Sequence, residues 1–156
     1  MKTATIQEIK QELQAANQSK LLGLCLHLAK FKKENKELLT YLLFEAHDEE
    51  SYISSVKSLM DEGFAELPRA NLYLTKKSLR KTLRITNRYS KYAGSKQVEI
   101  SLLLYFCSKM KNSGIPYQKA TVLINLYEQQ LKKINKALLL LHEDLQYDFQ
   151  QELAAL

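Results

Sequence analysis

The chain has 156 residues, 46% hydrophobic and 26% charged, the proportions of an ordinary globular fold, and its 23 Lys and Arg against 17 Asp and Glu give a formal net charge of +6. That length can bury a core without a metal or a disulfide and sets one domain over residues 1–156 as the expectation. The first residues lack the apolar stretch of a signal peptide, and the densest apolar runs, 21–29, 38–44 and 102–107, are too short to span a bilayer, so the reading is cytoplasmic with no membrane contact.

Four glycines and two prolines leave few places for tight β-turns. Helix-compatible Leu, Lys, Glu, Gln and Ala dominate instead. A first helix is expected over 5–16, with Ile6, Ile9, Leu13 and Ala16 on one stripe. Asn17, Gln18 and Ser19 offer a cap for a second, over 20–33. Leu21, Leu22, Leu24, Cys25, Leu26, Leu28 and Phe31 surround its axis, which predicts a deep core position, with Gly23 marking a close helix approach. Asn35 is expected to cap a third helix through residue 46. Asp48, Glu49 and Glu50 then place carboxylates where the macrodipole of a fourth helix favours them. Ile53, Val56, Leu59, Met60, Phe64 and Leu67 form its inward face, and Pro68 ends it.

A fifth helix opens at Asn71 or Thr75 and runs to Tyr92 or Ala93, with Gly94 as the left-handed residue that closes it. Ser95 caps a sixth, over 96–110, whose apolar residues leave no polar side and predict full burial. Pro116 suits the first turn of a seventh. There Ile124, Leu131, Leu138 and Leu145 recur every seventh residue, as do Tyr127, Ile134 and Leu141. That spacing allows a coiled-coil seam and a homo-oligomer through 124–145. Val122, Leu123, Leu139 and Leu140 widen the stripe, however, and favour packing within the domain. Residues 149–156 are expected to fray. The fold class is all-α, seven or eight helices packed as antiparallel pairs in a compact bundle or a short α-α superhelix.

A search for chemistry finds no catalytic constellation and no cofactor or metal signature. His27 sits among leucines and reads as a core or boundary side chain. His47 adjoins the Asp48–Glu50 run, whose carboxylates already serve a helix start. His142, Glu143, Asp144 and Asp148 form the remaining cluster, but the Glu-x-x-His spacing of a di-iron bundle is missing: Leu139 and Phe44 stand three residues before His142 and His47. His-Glu-x-x-His and phosphate-cradling glycine loops are absent too. Cys25 and Cys107 lie in apolar segments and read as buried free thiols. The expectation is a protein that is not an enzyme.

Charge is the asymmetric feature. Residues 1–66 hold 8 basic and 11 acidic groups, residues 67–98 hold 9 basic and none acidic, and residues 99–156 hold 6 of each. At about 100° per residue, Lys76, Arg80, Lys91, Arg84, Lys77, Arg88 and Lys81 follow one another within about 140° of arc. Leu79, Thr82, Leu83, Ile85, Thr86 and Tyr89 take the other side. Like charges one turn apart each cost a few tenths of a kcal/mol, so something acidic is expected to face this arc. Three candidates present themselves. The carboxylates of the fourth helix could neutralise it internally, an acidic protein partner could dock on it, or nucleic acid or another polyanion could bind, with Tyr89 and Tyr92 as stacking groups. The leading reading is a helical scaffold that binds another macromolecule, an acidic protein before a nucleic acid.

The stretch Lys20-Leu21-Leu22, then Leu28-Ala29-Lys30-Phe31-Lys32-Lys33-Glu34-Asn35-Lys36-Glu37-Leu38-Leu39 and Asp48-Glu49-Glu50, resembles a group of small helical bacterial proteins with no assigned activity. Leu83-Arg84-Ile85-Thr86-Asn87-Arg88-Tyr89 and the segment 99–107 share that likeness. It implies an all-helical, bacterial, cytosolic protein and assigns no functional residue.

Overall fold

The computed structural model describes residues 2–156 and contains, among them, eight α-helices and no strand. Their starts are set by side-chain caps that accept otherwise orphaned backbone N–H groups. Asn17 caps α2 (Gln18–Phe31), Asp48 caps α4 (Glu49–Ala65), Asn71 caps α5 (Leu72–Ala93) and Ser95 caps α6 (Lys96–Asn112). At α1 (Ile6–Ala15), Thr5 and Glu8 satisfy each other's backbone N–H in a capping box. These bonds to backbone hold the Glu8 carboxyl below its ordinary range. The chain divides into two compact units, one ending at Phe44 and one formed by Glu45–Leu156.

The first unit holds α1, α2 and α3 (Lys33–Thr40). Here α2 and α3 pack against each other, and the Asn35 side-chain amide ties them by donating to the Leu28 carbonyl at 2.8 Å. Asn35 is therefore a brace inside α3 and not its cap. The third helix also ends sooner than its apolar pattern suggests, since Tyr41–Glu45 widen into a π-turn. The larger correction concerns burial. Neither α1, α2 nor α3 contains a buried residue. Leu22, Leu24, Leu26 and Leu28 are exposed and Phe31 is 70% exposed. Apolar residues all round a helix signal a buried axis only when enough partner helices exist to surround it, and this unit supplies one neighbour. Gly23 meets nothing within 4 Å, so it marks no close approach. Cys25 and His27 are exposed as well.

In the second unit α6 is the central helix. It packs on α4, α5 and α7 (Thr121–Leu138), and more lightly on α8 (Glu143–Ala154). Val98, Ile100, Leu102, Leu103, Phe106, Cys107 and Met110 of α6 are buried, as its patterning predicts. Burial pushes the Cys107 thiol up to about 12, because a thiolate loses its hydration there. Val56, Met60 and Phe64 of α4 close over it, with the Phe64 and Phe106 rings 5.4 Å apart. Leu59, expected inside, is exposed, and Tyr52 takes an inward place, donating its hydroxyl to the Tyr89 carbonyl at 2.8 Å. The close approach lies at Gly63: a Cβ there would stand 2.5 Å from Thr82 Oγ1 on α5.

The heptad stripe turns inward. Of its positions Ile134 and Leu138 are buried and Ile124, Tyr127 and Leu131 half-buried, and Leu123 and Leu126 beside them are buried as α7 packs on α6. The helix stops at Leu138, so no unbroken seam runs through 124–145. Pro116 precedes a short 3-10 turn, Tyr117–Lys119, and not α7 itself. Residues 143–154 form α8 instead of fraying: Glu143 and Asp144 occupy its first turn and Phe149 is buried. Among the described residues no helix is long and apolar enough to cross a membrane.

A candidate binding face on the fifth helix

The inner side of α5 is small and threonine-rich. Thr75, Leu79, Thr82, Leu83, Thr86 and Ser90 are buried. Thr75 donates its hydroxyl to the Pro68 carbonyl at 2.6 Å, and Thr86 donates to the Thr82 carbonyl at 3.0 Å. The Thr86 bond, to a carbonyl one turn back, satisfies a buried hydroxyl without a partner from another helix. Short side chains on this side let α4 come close at Gly63, which fixes the rotation of α5 and hence the face it turns outward.

That outer face is the cationic arc. Lys77, Arg80, Lys81, Arg84 and Lys91 are exposed, and Lys76 and Arg88 are half-buried. Arg88 holds its guanidinium 5.6 Å from the centre of the Tyr89 ring. Among the described residues, none of Lys76, Lys77, Arg80, Lys81, Arg84 and Lys91 is ion-paired. One carboxylate of α4, Asp61, is engaged with α6. Asp61 takes Lys109 of α6 at 2.6 Å and accepts the Tyr105 hydroxyl at 2.7 Å. Partial burial raises the Asp61 carboxyl, and the Lys109 and Tyr105 hydrogen bonds outweigh that and hold it below its ordinary range. Burial and the bond to Asp61 push the Tyr105 hydroxyl up. Lys57 and Lys109 lie over the Tyr105 ring at 5.1 and 5.4 Å. This four-residue knot between α4 and α6 has no sequence signature, because its members are 44 or more positions apart except within each helix.

Two features join the arc only in three dimensions. Arg80, Arg84, Arg88 and Lys91 surround a shallow recess of about 360 Å³ floored by Leu83. Lys91 also borders a second recess, of about 520 Å³, to which α6 brings Lys96 and Glu99 and α7 brings Lys133. Lys96 is bonded there to Glu99 at 2.6 Å. At the other end, Leu72, Tyr73 and Leu74 are exposed, Tyr73 by 71%. Tyr73 falls at about 60° on the wheel that places Lys76 at zero, in the middle of the cationic arc and one turn ahead of it. Sequence reasoning passed over it, although its position on the wheel was available. Tyr89 and Tyr92, expected as stacking groups, are half-buried and meet edge-on, ring centres 5.5 Å apart.

The remaining candidates stay apart. His27, His47 and His142 lie on separate elements, His142 resting 3.4 Å from its own neighbour Asp144. Among the described residues no group of three His, Cys, Asp or Glu is placed to hold a metal. Compared with models of known protein families, with curated proteins and with solved structures, the chain matches none.

Proposed function

We propose that this protein is a helical binding module whose α5 face receives an acidic protein surface. The observation that carries the reading is the union, on one helix, of six cations that make no ion pair among the described residues, Lys76, Lys77, Arg80, Lys81, Arg84 and Lys91, with an exposed apolar end. Uncompensated like charges along a helix are unfavourable, and they become favourable when an anionic surface covers them. Neutralising phosphates would need the lysines and arginines alone. It would leave Leu72, Tyr73 and Leu74 in water, whereas a protein partner with an acidic stripe and an apolar contact covers both. Tyr and Arg are the side chains that most often anchor such interfaces.

A second reading, a polyanion along the same face, draws support from Lys133, which adds a cation from α7 to the recess that Lys91 borders.

The test compares an acidic amphipathic peptide with a single-stranded RNA as fluorescent ligands. It uses the wild-type chain, Arg80→Glu/Arg84→Glu/Lys91→Glu, and Tyr73→Ala. The triple variant should lose at least about tenfold in peptide affinity with its urea midpoint unchanged, since exposed substitutions shift stability little. Tyr73→Ala should weaken peptide binding and spare RNA. Tighter binding of RNA that Tyr73→Ala leaves intact would favour the second reading. Peptide and RNA binding both indifferent to the triple variant would defeat both readings. A fall in the urea midpoint of the triple variant would restore internal charge pairing as the role of the arc.

A further inference from the structure

The first unit leaves its apolar surface open. Cys25, Leu28, Ala29, Leu38, Leu39 and Leu42 line a groove of about 230 Å³ along the α2–α3 pair. Ile6, Ile9 and Leu13 form a stripe on α1 that is likewise exposed, Ile6 by 82%. Within its unit α1 has no packing partner comparable to the α2–α3 contact, and a 10-residue helix is too short to persist in water by propensity and capping alone. A unit of about 40 residues ordinarily needs oligomerisation or a cross-link to be stable, and no disulfide is present.

We infer that the first unit pairs with that of a second copy of this chain, the α1 stripe of each lying in the α2–α3 groove of the other. Three observations choose this occupant. Ridge and groove occur on the same unit, which is the self-complementarity a two-fold dimer requires. The helices that carry them are complementary in charge too. Glu8 and Glu12 stand against the single Lys10 on α1, while Lys20, Lys30, Lys33 and Lys36, with Lys32 between the helices, outnumber Glu34 and Glu37 on α2 and α3.

The exposed area also fits. The chain exposes 11003 Å². Even two separately compact globules of roughly 5 and 13 kDa would expose only about 9,500 Å². A surplus of about 1,500 Å² per chain makes about 3,000 Å² for a pair, within the range of permanent dimers.

Sedimentation of the full chain, with maleimide labelling of Cys25, tests the pairing. Cys107 does not compete, being buried with its thiol kept protonated. The expected result is a dimer whose Cys25 labels at least about tenfold more slowly than in the dissociated chain at high dilution. Ile9→Lys and Leu28→Lys, both at exposed positions, should each give monomers with fast labelling and unchanged helix content. Mixing the two should restore a heterodimer, since one ridge and one groove remain intact. A wild-type monomer at tens of micromolar would overturn the inference. A dimer insensitive to both substitutions would overturn it as well. Cys25 protection that is independent of concentration would place α1 in its own groove and defeat the pairing equally.

Discussion

Replacing Gly63 by Ala tests the contact that orients the binding face. Alone, the change should help α4, because glycine inside a helix costs about 0.5–1 kcal/mol relative to alanine. The new methyl, however, would stand 2.5 Å from Thr82 Oγ1, 3.3 Å from Thr82 Cγ2 and 3.4 Å from Thr82 Cβ. Thr82 is buried and β-branched, so its side chain has little freedom to move away. Overpacking of that kind costs about 1–3 kcal/mol, and the balance is a net loss of about 1 kcal/mol. Thr82→Ala removes the two nearest atoms, and in that background Gly63→Ala should stabilise by nearly its full helix-propensity gain. The double-mutant cycle therefore predicts a coupling of about 2 kcal/mol, within the range for residues in contact. Urea titration followed by helical circular dichroism measures all four corners. If Gly63→Ala stabilises the wild-type chain and the Thr82→Ala variant equally, α4 and α5 do not meet at this point and the outward face of α5 loses its structural basis.

Phe106→Ala should cost about 3–5 kcal/mol, because it empties a fully buried site on the central helix against Phe64; a loss below about 1 kcal/mol in urea titration would show that α6 is not axial. Asp61 has a lowered folded-state pKa, so its contribution is present above the ordinary carboxylate value of 3.8 and is lost as pH falls through the lower folded value. Asp61→Asn should accordingly lower stability at neutral pH and flatten the acid limb of the stability profile, and an unaltered limb would refute the Lys109–Asp61–Tyr105 geometry.

Helix existence was legible wherever a cap preceded a periodic run. Gly94 at the close of α5, and Ser95 with the buried side of α6, are read correctly because capping and burial patterns are local chemistry, and of the two starts open to α5 the structure takes Asn71. The face of α5 was legible for the same reason, a helical wheel needing only sequence. Burial of α2 was not, since burial depends on how many other helices surround an axis and periodicity carries no such count. The division at Phe44 was hidden too: no Gly, Pro or Ser tract marks it, and the chain crosses it through a π-turn that continues the apolar run. The continuous 124–145 stripe failed for a different reason. Leu139, Leu140 and Leu141 keep the heptad appearance going across the turn between α7 and α8, where His142 caps the next helix.

The two surfaces proposed here answer to opposite physics, and salt separates them in one sample. Binding at Arg80, Arg84 and Lys91 rests on exposed charges, whose attraction is largely screened once the Debye length falls from about 10 Å at 0.1 M to about 3 Å at 1 M. Pairing through Ile6, Ile9, Leu13 and Leu28 rests on apolar area, which an excluded salt such as sulfate strengthens; the charges of Glu8, Glu12 and the lysines of α2 and α3 set its register and contribute little to its strength. Raising sodium sulfate should therefore release an acidic peptide from the α5 face while the chain remains dimeric by sedimentation. Loss of both together would make the dimer an electrostatic contact, and retention of both would mean that the peptide binds the apolar groove and not the cationic arc.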